Sequence, residues 1–515
     1  MRVRAVLVGL VAVCWVAQWM QAPVAHAAEG CVAGVLSDFN GDGWSDAVVG
    51  DPSATVAEQA EAGRIVVLYG DGDGLVGEGA RDVLWQGQAA VPDLPQAGDR
   101  FASALAVADL DCDGYTDVVV GTPGKDVAGQ ADAGMVQVLW GEASGLAATR
   151  PAGTYTTESF GREAAAGDQF GFAVDAVEDV GQGGTPSPNA FGLAIGVPGA
   201  DVAGQNDAGA VVVQTAFDGG PANYWITQET PGIPGSAEAG DRFGAAVSCN
   251  YLSGDGHTID CAIGAPNEDI GSRKDAGGVT LVQDIYFDDE LVGISLDQNA
   301  AGVPGTAEAG DHYGQTIDTV LVGLRSWIAV GAPGEDIGSD KNAGLVQLFS
   351  SDTRDVDPGT ALTQDTASVS GSAEPGDEFG AAVAWIAPGL GDRRTRLAVG
   401  VPKENTTAGA DAGLVQVFPM GNLGAESTWT QGSPGVLGSP HSGDRFGTSV
   451  ALIAGAGERL LLVGVPDDTG YTTGMVNLLP LNGGTPRAWV PDGTIPATGS
   501  VDFGAALAGL SGGAE

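Results

Sequence analysis

A composite signature returns along this chain about every 70 residues, and a period of that length in a Gly-rich, Val-rich chain means a repeat architecture. It reads Gly-Asp-x-(Phe/Tyr)-Gly, then an apolar run, then Gly-x-Pro, then Ala-Gly-x-Val. The first element stands at Gly98-Asp99-Arg100-Phe101, Gly167-Asp168-Gln169-Phe170-Gly171, Gly240-Asp241-Arg242-Phe243-Gly244 and Gly310-Asp311-His312-Tyr313-Gly314. It returns at Gly376-Asp377-Glu378-Phe379-Gly380 and Gly443-Asp444-Arg445-Phe446-Gly447, and in weakened form at Asp502-Phe503-Gly504.

The runs between these marks are four to ten residues long, rich in Val, Ala and Leu, and bounded by Gly, Pro and Asp. They read as strands. In the second copy they are Phe101 to Leu110, Asp117 to Val120 and Gly134 to Trp140, and a poorer fourth strand recurs as Val83 to Gln86, Tyr224 to Gln228 and Ser427 to Gln431. Four antiparallel strands per repeat is the composition of a propeller blade. Gly-x-Pro begins at Gly50, Gly121, Gly196, Gly264, Gly331, Gly400 and Gly464, so the count is seven. The third-strand glycine also occurs seven times, at Gly63, Gly134, Gly209, Gly277, Gly344, Gly413 and Gly474. The expected fold is all-β, a seven-bladed β-propeller. The Phe-Gly element is missing from the first copy and appears at the end, so the extra strand from Phe503 either closes the ring or begins a truncated eighth repeat.

These elements resemble the FG-GAP repeats of the integrin α-subunit propeller over about residues 30 to 510, and Gly264-Ala265-Pro266 and Gly331-Ala332-Pro333 reproduce the Gly-Ala-Pro itself. The resemblance implies the Phe-Gly strand innermost, calcium loops between first and second strands, and a propeller of the kind found in secreted bacterial FG-GAP proteins. The repeats fall roughly at 30–97, 98–166, 167–239, 240–309, 310–375, 376–442 and 443–499, with an extra strand at 500–515, the propeller spanning 28–515.

Two loops carry coordination chemistry. Asp38, Asn40, Asp42 and Asp46, and likewise Asp109, Asp111, Asp113 and Asp117, place oxygen side chains at positions 1, 3, 5 and 9 of a tight turn. Gly43 and Gly114 stand at position 6, and the carbonyls of Trp44 and Tyr115 serve as position 7. This is the opening of an EF-hand-type loop, with Asp at position 9 in place of the usual Glu at 12. Hard oxygen donors and no His favour Ca²⁺. The competing reading is an Asp-rich turn held by its own backbone. The fourth repeat keeps Asp255 and Asp260 without the alternation, and the third, fifth, sixth and seventh lack the pattern. The acid of each Gly-Asp-x-Phe (Asp99, Asp168, Asp241, Asp311, Asp377, Asp444) reads as a turn cap, as do Asp132, Asp207, Asp275 and Asp411 before the third strand.

Net charge is −45, from 66 acidic against 21 basic residues, which disfavours nucleic acid and anionic membrane and suits divalent cations. Arg2 and Arg4, the apolar run from Ala5 to Trp19 and Ala25-His26-Ala27 read as a signal peptide over 1–27, so the mature chain is expected outside the cell, without a transmembrane segment and as a monomer. Cys14 lies in that signal. Of the remaining four cysteines, Cys249 and Cys261 flank a short hairpin-like connection and are the expected disulfide; Cys31 and Cys112 pair by arithmetic alone.

No nucleophile with its base stands out. His312 fills the variable position of the repeat as a surface residue, and His257 lies in the degenerate fourth loop. The expected function is a calcium-binding adhesion or binding module for an extracellular protein or glycan. The alternative is an extracellular polysaccharide hydrolase or lyase working through the propeller face; a structural part of a cell-surface assembly is a third reading.

Overall fold

The computed structural model describes residues 37–71, 81–178, 191–217, 220–252, 259–285, 291–323, 325–351, 355–367, 369–387, 394–420, 424, 427–454, 459–470, 473–491 and 502–508. The expected signal peptide, Cys31, Asp255 and His257 lie outside them.

Seven four-stranded antiparallel sheets form the blades of a β-propeller. Blade 2 is representative: Ala104–Ala108, Asp117–Thr122, Met135–Leu139 and Gly153–Tyr155 pair in chain order. Its second and third strands are buried along their whole length, while its fourth is half exposed. The middle strands therefore read as continuous Val-rich runs, because both of their faces pack against neighbouring blades.

Blade 1 is built differently. The C-terminal strand Ala506–Ala508 is its innermost strand and pairs with Ala47–Asp51 at Val48↔Ala508 and Gly50↔Ala506. Arg64–Leu68 and Arg81–Leu84 complete the sheet. The extra strand thus closes the ring by joining the end of the chain to its beginning, which leaves no open sheet edge at the seam.

The repeated signature is a joint between blades. Phe170 N donates to Ala133 O of blade 2 at 3.0 Å, while Gly171 N donates to Gly196 O of blade 3 at 3.0 Å. The same two bonds recur from Phe243-Gly244, Tyr313-Gly314, Phe379-Gly380 and Phe446-Gly447, each reaching the Ala before a third-strand glycine and the Gly of a Gly-x-Pro. All seven aromatic rings of the element are fully buried. The glycines are obligatory because the backbones nearly touch. A Cβ on Gly134 would lie 2.3 Å from Phe170 N, and one on Gly196 would lie 2.0 Å from Gly244 O.

The Asp of Gly-Asp-x-Phe caps the turn entering each joint. Its Oδ2 accepts the N–H three residues earlier, from Gln96 to Asp99 at 2.7 Å through His441 to Asp444 at 2.6 Å. The next residue is left-handed in every copy, with φ between 51° at His312 and 58° at Arg242. His312 itself is half-buried rather than a free surface group, with its Nδ1 3.2 Å from Pro266 O.

The innermost strands surround a channel of about 220 Å³ lined from all seven blades. At one level the lining is Ala106, Ala384, Ala451 and Ala508, and three blades depart from it with Asp175, Ser248 and Asp318. These three stitch successive inner strands together. Asp175 accepts Cys249 N at 2.6 Å, Ser248 bonds Thr319 between hydroxyls at 2.9 Å, and Asp318 accepts Trp385 N at 2.5 Å. Cys249 and Cys261 face each other across the first two strands of blade 4 and form a disulfide. Cys112 is also disulfide-bonded.

Two outcomes follow from the joint and the closure. Removing residues 502–515 is expected to lower the melting temperature and to produce oligomers visible by size-exclusion chromatography, because the edge of Ala47–Asp51 is then bare. Ala102 stands where the other copies have Gly and is held at φ 73°. Ala102→Gly is expected to raise stability by up to about 1 kcal/mol in denaturant titration, since a Cβ in the left-handed region is strained.

Candidate metal centre

Antiparallel alternation puts the connections after the inner strands at the end of the propeller opposite the Gly-Asp-x-Phe turns. Both Asp-rich loops lie there: 109–117 joins the first two strands of blade 2, and 38–46 leads into Ala47–Asp51 of blade 1. The loops abut. Thr116 N donates to Asp38 O at 2.9 Å and Glu142 N to Phe39 O at 3.1 Å. The Tyr115 ring lies against Gly41, where an added Cβ would sit 2.4 Å from Tyr115 Cε1.

In both loops the first Asp winds the turn around its carboxylate. Asp38 accepts the N–H groups of Gly41, Asp42 and Gly43, and Asp109 accepts those of Asp113 and Gly114. Asn40 accepts Asp42 N at 3.0 Å. Asp42 accepts Trp44 N at 2.9 Å, and Asp113 accepts Tyr115 N at 3.0 Å. The last Asp ties the loop to the sheet. Asp46 accepts Phe39 N and Gly70 N, each at 2.8 Å, and Asp117 accepts Leu110 N and Gly141 N, each at 2.9 Å. Blade 4 keeps the corresponding tie, Asp284 N donating to Asp260 at 2.7 Å. The position 9 acid therefore has a structural duty that the sequence reading missed. The retention of Asp260 in an otherwise degenerate loop was its signal.

Asp109, Asp111 and Asp117 each bring a carboxylate oxygen within 4.8 Å of the others, the one such group of three or more among the described residues. Asp113 falls outside that group, as do the acids of loop 38–46. Asp111 divides its oxygens: Oδ2 pairs with the Arg150 guanidinium, which lies 3.7 Å above the Trp140 ring, and Oδ1 is buried with no hydrogen-bond partner. Three converging carboxylates, one of them with a buried, orphaned oxygen, fit a hard cation. The charges confirm the crowding. Burial, then the charges of Asp111 and Asp109, hold the Asp117 carboxyl well above its usual range. Burial, reinforced by Asp38 and Asp42, pushes Asp46 up to about 7.

The repeat model for FG-GAP matches residues 101–139, which run from the Phe of the joint through loop 109–117 to the third strand of blade 2. The propeller carries an FG-GAP repeat there. It is similar to human integrin alpha-IIb, 33% identical over 171 residues, or 32% of this chain and 14% of that protein. Drosophila melanogaster integrin alpha-PS5 is 30% identical over 179 residues, 32% of this chain and 15% of that protein. The phosphatidylinositol-glycan-specific phospholipase D of Mus musculus is 32% identical over 115 residues, 22% of this chain and 13% of that protein. The chain thus spans about one seventh of the length of these curated relatives.

The two kinds of acid separate experimentally. Asp117→Ala is expected to lower stability by about 1–3 kcal/mol even in EDTA, because two buried N–H groups lose their acceptor. Asp111→Ala is expected to cost stability only when calcium is present, because in EDTA the relief of carboxylate repulsion offsets the lost Arg150 pair. Denaturant titration of both variants with and without EDTA checks this; equal losses in EDTA would contradict it.

Proposed function

We propose that this FG-GAP-repeat propeller is an extracellular Ca²⁺-binding module that holds a protein or glycan ligand. The observation that carries the metal is the convergence of Asp109, Asp111 and Asp117, together with the unpartnered Asp111 Oδ1. Asp109, Asp111 and Asp117 would hold the ion in blade 2, with Asp113 and the Tyr115 carbonyl flanking it; Asp38, Asn40, Asp42, Asp46 and the Trp44 carbonyl form the corresponding set in blade 1. Bound calcium would neutralise carboxylates that otherwise repel one another, and so brace the seam where two blades meet. Arg150 holds Asp111 by one oxygen and leaves the other for the cation.

The binding role is supported by the likeness to integrin α-subunits and by the architecture. A rigid ring presents many connecting loops at one end, and loops on a rigid frame carry function. The Cys249–Cys261 disulfide fits an oxidising compartment, and no described helix is long and apolar enough to cross a membrane.

Chelation is expected to lower the melting temperature, with Ca²⁺ restoring it, and Asp42→Ala and Asp113→Ala are expected to shrink that shift. Unchanged melting in EDTA with silent variants would remove the metal from the account. Binding on glycan arrays or in pull-downs without turnover of candidate polysaccharides supports the module; product release lost with loop acids would show an enzyme instead.

A further inference from the structure

Away from the Asp-rich loops, each blade junction has an inner seat beside the capping Asp. In blade 2 a cation fills it: Lys125 Nζ lies 3.0 Å from Asp99 Oδ2 and 2.6 Å from Leu94 O. In blade 7 Asp468 stands at the position of Lys125 and accepts Gln431 Nε2, but there Thr469 supplies the donors, reaching Asp444 through both its N–H, at 2.9 Å, and its hydroxyl, at 3.0 Å. Blades 1 and 3 carry Ala54 and Ala200 at the position of Lys125. Blades 4, 5 and 6 instead set a second carboxyl there, pairing Asp241 with Glu268, Asp311 with Glu335 and Asp377 with Glu404.

A buried Gln closes each of these three seats. Gln228, Gln298 and Gln364 donate Nε2 to Glu268, Glu335 and Glu404 at 2.6, 2.7 and 2.5 Å. Their Oε1 atoms, and Asp377 Oδ1, are buried without a partner. Where the second acid is replaced by Ala200, the Gln is replaced as well, by Thr157.

Among the described residues the surroundings are dominated by acids, and Lys341, whose charge reaches Asp311, is bonded to Asp336 instead. Glu238 and Asp269 face the Asp241 pair, Glu308 and Asp336 the Asp311 pair, and Glu374 and Asp340 the Asp377 pair. Nearby bases are engaged elsewhere: Lys341 with Asp336, Lys403 with Glu378 at 2.6 Å and Arg242 with Gln169 at 3.0 Å. His312 turns its Nδ1 to Pro266 O.

We propose that the junctions entering blades 4, 5 and 6 each hold one proton shared between their two carboxyls, so that this side of the ring is a pH-sensitive clasp. Two carboxylates set side by side and withdrawn from water cannot both ionise cheaply, and a shared proton would give each pair a hydrogen bond. Burial first, and the neighbouring acids second, push Asp241, Asp377 and Glu335 up to about 7, and Glu268, Asp311 and Glu404 also rise. The folded chain therefore keeps protons that the unfolded chain has released above about pH 4. The resulting stability is full below that range and is lost as pH rises through about 7, where the pairs ionise.

The test is the pH dependence of unfolding, from about pH 5 to about pH 8 in saturating calcium, for the full chain and for Glu268→Gln, Glu335→Gln and Glu404→Gln singly and together. Each shared proton should make the unfolding constant rise by up to about tenfold per pH unit in this window. Each substitution should remove its share of that slope, and the triple variant should lose less stability between the two pH values than the parent. Should the triple variant fail to fold, the single variants and Glu335→Lys, which copies the Lys125 seat, decide: both should flatten the slope. An unchanged slope in the single variants would overturn the proposal.

Discussion

The pair of backbone hydrogen bonds made by each Phe-Gly is the constraint on which the rest of this structure depends. One bond reaches the third strand of the preceding blade and the other reaches the second strand of its own blade. Because both are main-chain bonds, the three sequence elements must keep their spacing, and the glycines at the contact must stay glycine. The buried aromatic ring then fills the space between the two sheets. Apolar burial holds each pair of blades, and the backbone bonds fix their register.

A ring assembled this way in a chain of net charge −45 must bring carboxylates together at its seams. The seams handle this in different ways. Asp175 and Asp318 are satisfied by backbone N–H groups of the next strand, Asp99 by Lys125, and Asp444 by Thr469. Asp109, Asp111 and Asp117 leave an oxygen unsatisfied, which is why a cation is the economical reading there. The carboxyl pairs of blades 4, 5 and 6 leave a proton as the simplest neutraliser. Metal loops and proton pairs thus occupy different blades and opposite ends of the propeller.

The repeat made the blades legible because each of its elements is half of a backbone contact, so spacing survives where side chains drift. Seven Gly-x-Pro marks and seven third-strand glycines became seven sheets. Whether the strand after Phe503 closed the ring was not legible, since pairing of Ala506–Ala508 with Ala47–Asp51 joins residues at opposite ends of the chain. In the loops, alternation marked the right residues but not their duties. Asp117 looks like Asp111 in sequence, yet it is committed to Leu110 N and Gly141 N. The buried Gln of the junctions was read only as the tail of a fourth strand. Its partner acid lies about 40 residues away, as Gln228 and Glu268 do, and no local pattern connects them.

Calcium at the adjoining loops of blades 1 and 2 is the claim that joins this geometry to a function. Terbium luminescence tests it most directly, because Trp44 and Tyr115 occupy position 7 of the two loops and can sensitise an ion held there. Sensitised terbium emission is expected on excitation of these aromatics, displaced by Ca²⁺ and diminished by Asp111→Ala. Absence of emission, or emission that calcium does not displace, would contradict it.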